Sequence, residues 1–260
     1  GKLSSYVSVT GNVYEELSSE SLDEKGEMKI KGGQTIRYQA PETNYYTFSL
    51  LDEEGNVVNS RSVSLEKGEY GSVSLGGNGD QTYTLKVTKR ETESALAVGG
   101  EGAALSLKVN EERWYSFTAD ETNYYTFYMT DASGMIEAAV YNSLKDTYIK
   151  TSFNSDTAYA VSLKKGQTIC FRLASDEAAE EAAVTGKLHV NKRNLDEAAL
   201  NIGGTGKNLS LKAGEEYWYA FTADETNYYT FYTTGATGAT YASLYDSMSA
   251  NDSIGEEWGY

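Results

Sequence analysis

Glu121-Thr-Asn-Tyr-Tyr-Thr-Phe127 decides how this chain is read, because the same seven residues stand at Glu42–Phe48 and again at Glu225–Phe231. The first two copies lie 79 residues apart and the second and third lie 104 apart. The longer offset extends well beyond the string: Ala95–Leu107 aligns with Ala199–Leu211, and Arg113–Asp120 aligns with Tyr217–Asp224. A second set of matches joins the first two copies, where Val63–Gly68 matches Val161–Gly166 and Thr84–Arg90 matches the end of Gly186–Arg193. Self-similarity of this kind signals an architecture built from repeated units. The repeats are residues 1–90, with 1–10 a candidate strand of another unit, then 91–193, then an incomplete 194–260.

Within each repeat the apolar residues alternate with period two, the pattern of a half-buried strand. In repeat two, Tyr115 and Phe117 share one face, followed by Tyr125, Phe127 and Met129, then Ile169, Phe171 and Leu173, then Leu188 and Val190. The polar stretch Thr118–Asn123 between the first two strands reads as a turn, with Asn123 at a positive-φ position. Repeat one is shorter between Phe48 and Val63 than repeat two is between Phe127 and Val161, by about a hairpin. Only Asp176–Val184 reads as helical, for a turn or two. Tyr outnumbers Phe and Trp by 22 to 7 and 3, and 25 Gly against a single Pro leave turns to Gly, Asn and Asp. The expected fold is all-β: tandem jelly-roll-like β-sandwich modules, which protect their strand edges by closure.

Charge and cysteine content exclude several classes. A net charge of −16 argues against nucleic acid, whose binding rests on Lys and Arg neutralising phosphates, and against anionic membrane surfaces. No apolar run approaches the roughly 20 residues of a spanning helix, so membrane insertion is not expected. A single Cys rules out an intrachain disulfide framework. No secretory leader opens the sequence, and Gly1 reads as the residue left when a tag is removed, so a trimmed native leader is compatible with it.

At Leu209-Ser-Leu-Lys-Ala-Gly-Glu-Glu-Tyr-Trp-Tyr-Ala-Phe221, Tyr229–Gly235 and Ala242–Asp246 the chain resembles bacterial pre-peptidase C-terminal domains. The resemblance covers repeat three and most of repeat two; in repeat one Thr35 replaces the Trp. It implies extracellular β-sandwich modules with a jelly-roll-like wrap, found in secreted proteases and in tandem on the surface of gut Firmicutes, and similar to collagen-binding modules of clostridial collagenases. Some members bind calcium through acidic residues near a module's start, and no acidic cluster here matches such a site.

Few residues carry candidate chemistry. His189, the only histidine, sits between inward-facing Leu188 and Val190 and so faces outward, with Lys86 as its counterpart in repeat one. A Ser-His-Asp or Cys-His site would need it, and the repeat alignment gives it no partner. Cys170 lacks an evident base or electropositive setting and reads as a structural thiol. Gly99–Gly102 and Gly203–Gly206 fail as phosphate loops, because Gly206-Lys207 is followed by Asn208 and each stretch precedes a strand. Asp120/Glu121 and Asp224/Glu225 lie on a repeated turn, which is poor ground for a single active site. A calcium site on Asp120 and Asn123, repeated at Asp224 and Asn227, is the one metal reading those residues allow; otherwise no cofactor is expected. Trp114 and Trp218 lie on the face away from the apolar stripe and are the candidate ligand-binding residues. Each either stacks on a sugar or partner side chain or packs at a junction between repeats, and the junction is favoured because the Trp is itself repeated.

The expectation is therefore a noncatalytic, adhesin-like binding or spacer array on the surface of a bacterium or secreted by it. Its expected partner is a host or cell-surface protein or glycan, and no enzyme activity is expected. The alternatives are a carbohydrate-binding module using exposed Trp, and an accessory C-terminal region of a secreted peptidase or glycosidase. In repeat three only fifteen residues follow Tyr245, the counterpart of Tyr141, leaving Tyr229, Phe231 and Leu244 to be covered from elsewhere. Strand complementation by Tyr6–Thr10, a homo-oligomer formed through repeat three, or a longer array would each cover them.

Overall fold

A computed structural model describes residues 15–17, 21–93, 95–177, 182–195, 199–211 and 216–259. The protein is all-β. Its strands are β1 (Glu15–Leu17), β2 (Glu27–Lys31), β3 (Thr35–Gln39), β4 (Asn44–Leu51), β5 (Val57–Leu65), β6 (Tyr70–Ser74), β7 (Thr82–Lys89), β8 (Ala103–Leu107), β9 (Glu112–Thr118), β10 (Asn123–Thr130), β11 (Glu137–Tyr141), β12 (Thr151–Asn154), β13 (Tyr159–Leu163), β14 (Thr168–Ala174), β15 (Val184–Lys192), β16 (Thr240–Leu244) and β17 (Gly255–Gly259). By contact density the chain falls into two compact units, one of residues 1–93, 139–151 and 169–172, the other of residues 94–138, 152–168 and 173–260.

Repeat one forms a four-stranded sheet in the order β2-β7-β4-β5 and a three-stranded sheet in the order β1-β3-β6. The pairings are antiparallel except β1 with β3, which runs parallel from Glu15↔Ile36 to Leu17↔Tyr38. Repeat two places β13-β10-β15-β8 in the same order as β5-β4-β7-β2, and its other four strands order as β12-β11-β14-β9. The shorter stretch of repeat one is now explained. β4 turns straight into β5, whereas repeat two inserts β11 and β12 between β10 and β13.

The repeated heptapeptide becomes the central strand in both. β4 and β10 bury every second residue, and Tyr46, Phe48 and Leu50 match Tyr125, Phe127 and Met129 on the inner face. The inner rings interlock edge to face across the two sheets. Tyr38 meets Phe48 at 5.4 Å, and Phe117 meets Tyr125 at 5.0 Å and Phe127 at 5.3 Å. This geometry aligns ring edges with the negative faces of their neighbours. On the other face of β4, Thr47 shares a hydrogen bond with Ser62 directly opposite on β5 at 2.9 Å. The ten residues named above as the inner set of repeat two, Tyr115, Phe117, Tyr125, Phe127, Met129, Ile169, Phe171, Leu173, Leu188 and Val190, are all buried.

Asn123 does not take positive φ; it opens β10, and the non-glycine residues with positive φ are Asn110 (58°) and Asp131 (54°). The stretch read as helical holds a turn at Asp176 and Glu177, and its last residue, Val184, opens β15; residues 178–181 lie outside the described residues. Tyr6–Thr10 also lies outside them. His189 faces outward as expected but is packed: its ring stacks on Tyr128 at 5.0 Å and shares a hydrogen bond with Thr130. Gly102 sits against that ring with φ +81°, and a Cβ there would lie 2.6 Å from His189 Cε1, so this position takes only glycine.

Repeat three differs. Among the described residues of 199–239 no strand forms, although Phe221 still packs edge-on against Tyr229 at 4.9 Å and Phe231 at 5.2 Å. One backbone bond, Leu200 N–H to Ala220 C=O, and an isolated parallel bridge, Leu195 with Trp218, tie its start. β16 and β17 pair antiparallel from Thr240↔Gly259 to Leu244↔Gly255.

Candidate functional site

The polar residues converge where the last strand of a repeat ends beside the acidic turn that precedes its central strand. In repeat two the turn carboxylates close on a lysine from β15. Lys192 Nζ lies 2.7 Å from Asp120 Oδ2 and 2.9 Å from Glu121 Oε1. Asp120 Oδ1 also accepts from the Tyr125 hydroxyl at 2.7 Å. The ammonium holds both carboxyls below the usual carboxylate range, with the Tyr125 hydroxyl helping Asp120 and the Asn123 amide helping Glu121. The same carboxylates push Lys192 up.

Asn123 is buried and fully used. Its Nδ2 donates to Arg193 C=O at 2.8 Å and to Glu121 Oε1 at 3.0 Å, and its Oδ1 accepts from the Tyr124 N–H at 2.7 Å. Repeat one repeats the device. Asn44 Nδ2 donates to Arg90 C=O at 2.9 Å, Asn44 Oδ1 accepts from the Tyr45 N–H, and Lys89 pairs with Glu42. The buried Asn thus fastens the end of the outgoing strand to the start of the central one.

The arginine that follows each lysine reaches into the next repeat. Arg90 donates through Nη1 to Leu144 C=O at 2.7 Å and Asp146 C=O at 2.6 Å, and its guanidinium lies over Tyr45 (4.5 Å) and Tyr141 (5.4 Å). Beside it Ser64 Oγ donates to Lys145 C=O, and Lys145 pairs with Glu66. Arg193 does the same one repeat later. It donates to Ala250 C=O at 2.7 Å and Met248 C=O at 3.4 Å, and lies 4.1 Å from the Tyr124 ring, 4.3 Å from Trp218 and 4.6 Å from Tyr245. A planar, always charged guanidinium is suited to this position, since it stacks on aromatic faces while its edge serves carbonyls. Sequence reasoning missed this pair. The signal was present: Lys-Arg closes both aligned strands, although the residues before it differ.

The residues singled out from sequence are placed as follows. Trp114 is 5% exposed rather than open on an outer face, and its Nε1 donates to Glu112 at 3.0 Å. Trp218 is half-buried against Arg193 and Tyr245, with Nε1 on Glu216. For calcium, Lys192 already takes the position between the carboxylates of Asp120 and Glu121 that a cation would use, and Asn123 is spent on backbone groups. Asp224 accepts from the Tyr229 hydroxyl, and Asn227 donates to Glu225. Among the described residues no group of three or more His, Cys, Asp or Glu converges to hold a metal. Cys170 is buried, and desolvation pushes its thiol up to about 11, with Asp146 adding to the shift. A shallow depression of about 440 Å³ at the β8–β9 turn is lined by Ser106, Lys108, Val109, Asn110, Glu111 and Arg113. Its Glu111 and Arg113 pair with each other at 2.7 Å.

No protein-family model and no curated protein matches this chain. Among solved structures, a β-porphyranase of glycoside hydrolase family 86 from the human gut bacterium Bacteroides plebeius aligns at 11% identity over 66% of this chain, with a TM-score of 0.17. This chain spans 35% of that enzyme, and so low a score carries no argument about either fold or activity.

Proposed function

We propose that the chain is a noncatalytic array of β-sandwich repeats that binds or spaces outside a bacterial cell, with a surface protein or glycan as its partner. The observation that carries this reading is what the recurring polar residues do. In repeats one and two the acidic turn, the buried Asn and the Lys-Arg pair are all engaged with one another or with the next repeat. Groups that repeat because they join repeats are not poised for a reaction. The two most reactive side chains are also engaged or silenced: His189 by Thr130 and Tyr128, Cys170 by burial. A nucleophile needs a base within hydrogen-bond reach, and an active thiol needs a depressed pKa.

The test pairs two measurements on the intact chain. Chromogenic glycosides, nitrophenyl esters and fluorescent casein report turnover; a glycan array and immobilised matrix proteins report binding. Saturable binding without turnover is the expected result. Turnover that disappears in His189→Ala or Cys170→Ala would overturn the reading.

A further inference from the structure

The turn between β6 and β7 holds the sole Asn-Gly step of the sequence, Asn78-Gly79. It is exposed, and its hydrogen bonds are those of an Asx turn. The Asp80 N–H donates to Asn78 Oδ1 at 3.1 Å, and the Gln81 N–H donates to Asn78 C=O at 3.0 Å. The same turn recurs at the end of β12, where the Asp156 N–H donates to Asn154 Oδ1 at 3.1 Å and the Thr157 N–H to Asn154 C=O at 3.1 Å. The two turns differ in the residue that follows the asparagine, and above all in its amide nitrogen. The Ser155 N–H donates to Ile136 C=O at 3.0 Å, whereas the Gly79 N–H makes no hydrogen bond among the described residues. The two other Asn-Ser steps resemble Asn154 in this respect. The Ser143 N–H donates to Asp146 Oδ2 at 3.1 Å and the Ser60 N–H to Asn59 Oδ1 at 2.8 Å.

That nitrogen is the nucleophile in an intramolecular reaction that asparagine can undergo. It bonds to the side-chain Cγ, the Cγ–Nδ2 bond breaks, and the proton of the attacking N–H leaves with the departing ammonia. The product is a five-membered imide. Water then opens the imide at either carbonyl, giving aspartate or isoaspartate, with no other reagent and no redox change. Three features favour the reaction at Asn78. Gly79 has no Cβ to shield its nitrogen or to restrict the dihedral changes of ring closure. Its N–H has no hydrogen bond to surrender. The Asp80 N–H already donates to Oδ1, the atom on which negative charge develops during attack.

We propose that Asn78-Gly79 is a site of spontaneous covalent modification: in the folded chain Asn78 converts to aspartate and isoaspartate, while Asn59, Asn142 and Asn154 persist. The change bears on the packing of repeat one. Isoaspartate routes the main chain through the side-chain carbon and so adds a methylene group to the β6–β7 turn. Asn78 C=O lies so close to Gly32 that a Cβ on that glycine would collide with it, and the Asn78 N–H donates to the hydroxyl of buried Tyr83 at 3.2 Å. A lengthened main chain displaces both contacts. The inference is independent of whether the array binds a surface protein or a glycan.

The experiment holds the intact chain in warm, mildly alkaline buffer, digests timed samples under acidic conditions and maps them by tandem mass spectrometry. Isoaspartate is counted with protein isoaspartyl methyltransferase. Asn78 should convert about tenfold or more faster than Asn154, whose neighbouring nitrogen is shielded and must first be freed. That comparison is made within one sample and needs no variant. Gly79→Ala is the matched substitution, because Gly79 has no left-handed φ and a Cβ there meets only Gly32 O, at an ordinary 3.8 Å. It should slow conversion of Asn78 by about tenfold or more. Equal rates at Asn78 and Asn154, a rate unmoved by Gly79→Ala, or conversion only in a urea-unfolded sample overturns the inference.

Discussion

Repeats two and three carry the same seven residues and give them different structures. Asn123–Thr130 is a buried central strand; the corresponding residues 227–234 form no strand among the described residues. Intrinsic preference is identical, so the difference comes from neighbours. β10 is paired on both sides, by β13 and β15, and its inner rings are closed over. The corresponding residues of repeat three keep the local ring packing of Phe221 on Tyr229 and Phe231 but lack the ladders. β-propensity is fit to a half-buried, paired surface, and here the surface is what differs.

The sharpest way to break the comparison is to truncate the same ring in both repeats. Phe127→Ala removes a wholly buried ring and should destabilise by about 3–5 kcal/mol in denaturant melts, whereas Phe231→Ala, half-exposed, should cost less than about 1 kcal/mol. Equal losses would mean that repeat three is as closed as repeat two in solution. Next, Arg193→Ala should cost about 2–3 kcal/mol by removing the charged donor to Ala250 and Met248 and the stacking on Tyr124, Trp218 and Tyr245. Arg193→Lys should recover little of this, because an ammonium cannot stack and donate in the same plane. Full recovery in thermal melts would reduce the contact to simple charge.

Asn123 against Asn227 gives a smaller contrast. Asn123→Ala removes the buried amide that donates to the Arg193 carbonyl and should cost about 1–3 kcal/mol, while Asn227→Ala in the isolated chain should change stability by less than about 0.5 kcal/mol. The smallest effect is that of pH. Asp120 and Glu121 titrate lower in the folded chain than unfolded, where about 3.9 and 4.3 are usual. The unfolded chain therefore binds protons first on acidification. The stabilisation from the Lys192 contacts is complete above the unfolded values and is lost as pH falls through the depressed folded ones. Lys192→Met should flatten this acid limb while lowering neutral-pH stability by under about 1 kcal/mol, because both carboxylates are more than half exposed and water screens the pair. An unchanged acid limb in urea melts at pH 3 and 5 would show that the contact contributes nothing.

Period-two alternation placed the inner face of repeat two correctly because alternation is a property of the strand itself: Tyr125, Phe127, Leu188 and Val190 follow from where their neighbours point. It could not tell what covers the opposite face. Alternation therefore puts Trp114 on an outer face, and it is buried. Asn123 was read as a turn residue from its identity, whereas its role is set by Arg193, 70 residues away in sequence. The Arg90 and Arg193 contacts were legible only as a coincidence of spelling, two strands ending in Lys-Arg. Their partners are carbonyls, which no side-chain pattern announces.

Lys89-Arg90 and Lys192-Arg193 are also the dibasic sites a trypsin-like protease reads. Such a protease must draw the arginine into its own pocket, and here each guanidinium is already committed to carbonyls and rings. Scission after residue 90 or 193 therefore requires the clasp to open first, so limited digestion times that local opening. The residue that joins one repeat to the next thus also conceals a bond at which the two could be cut apart.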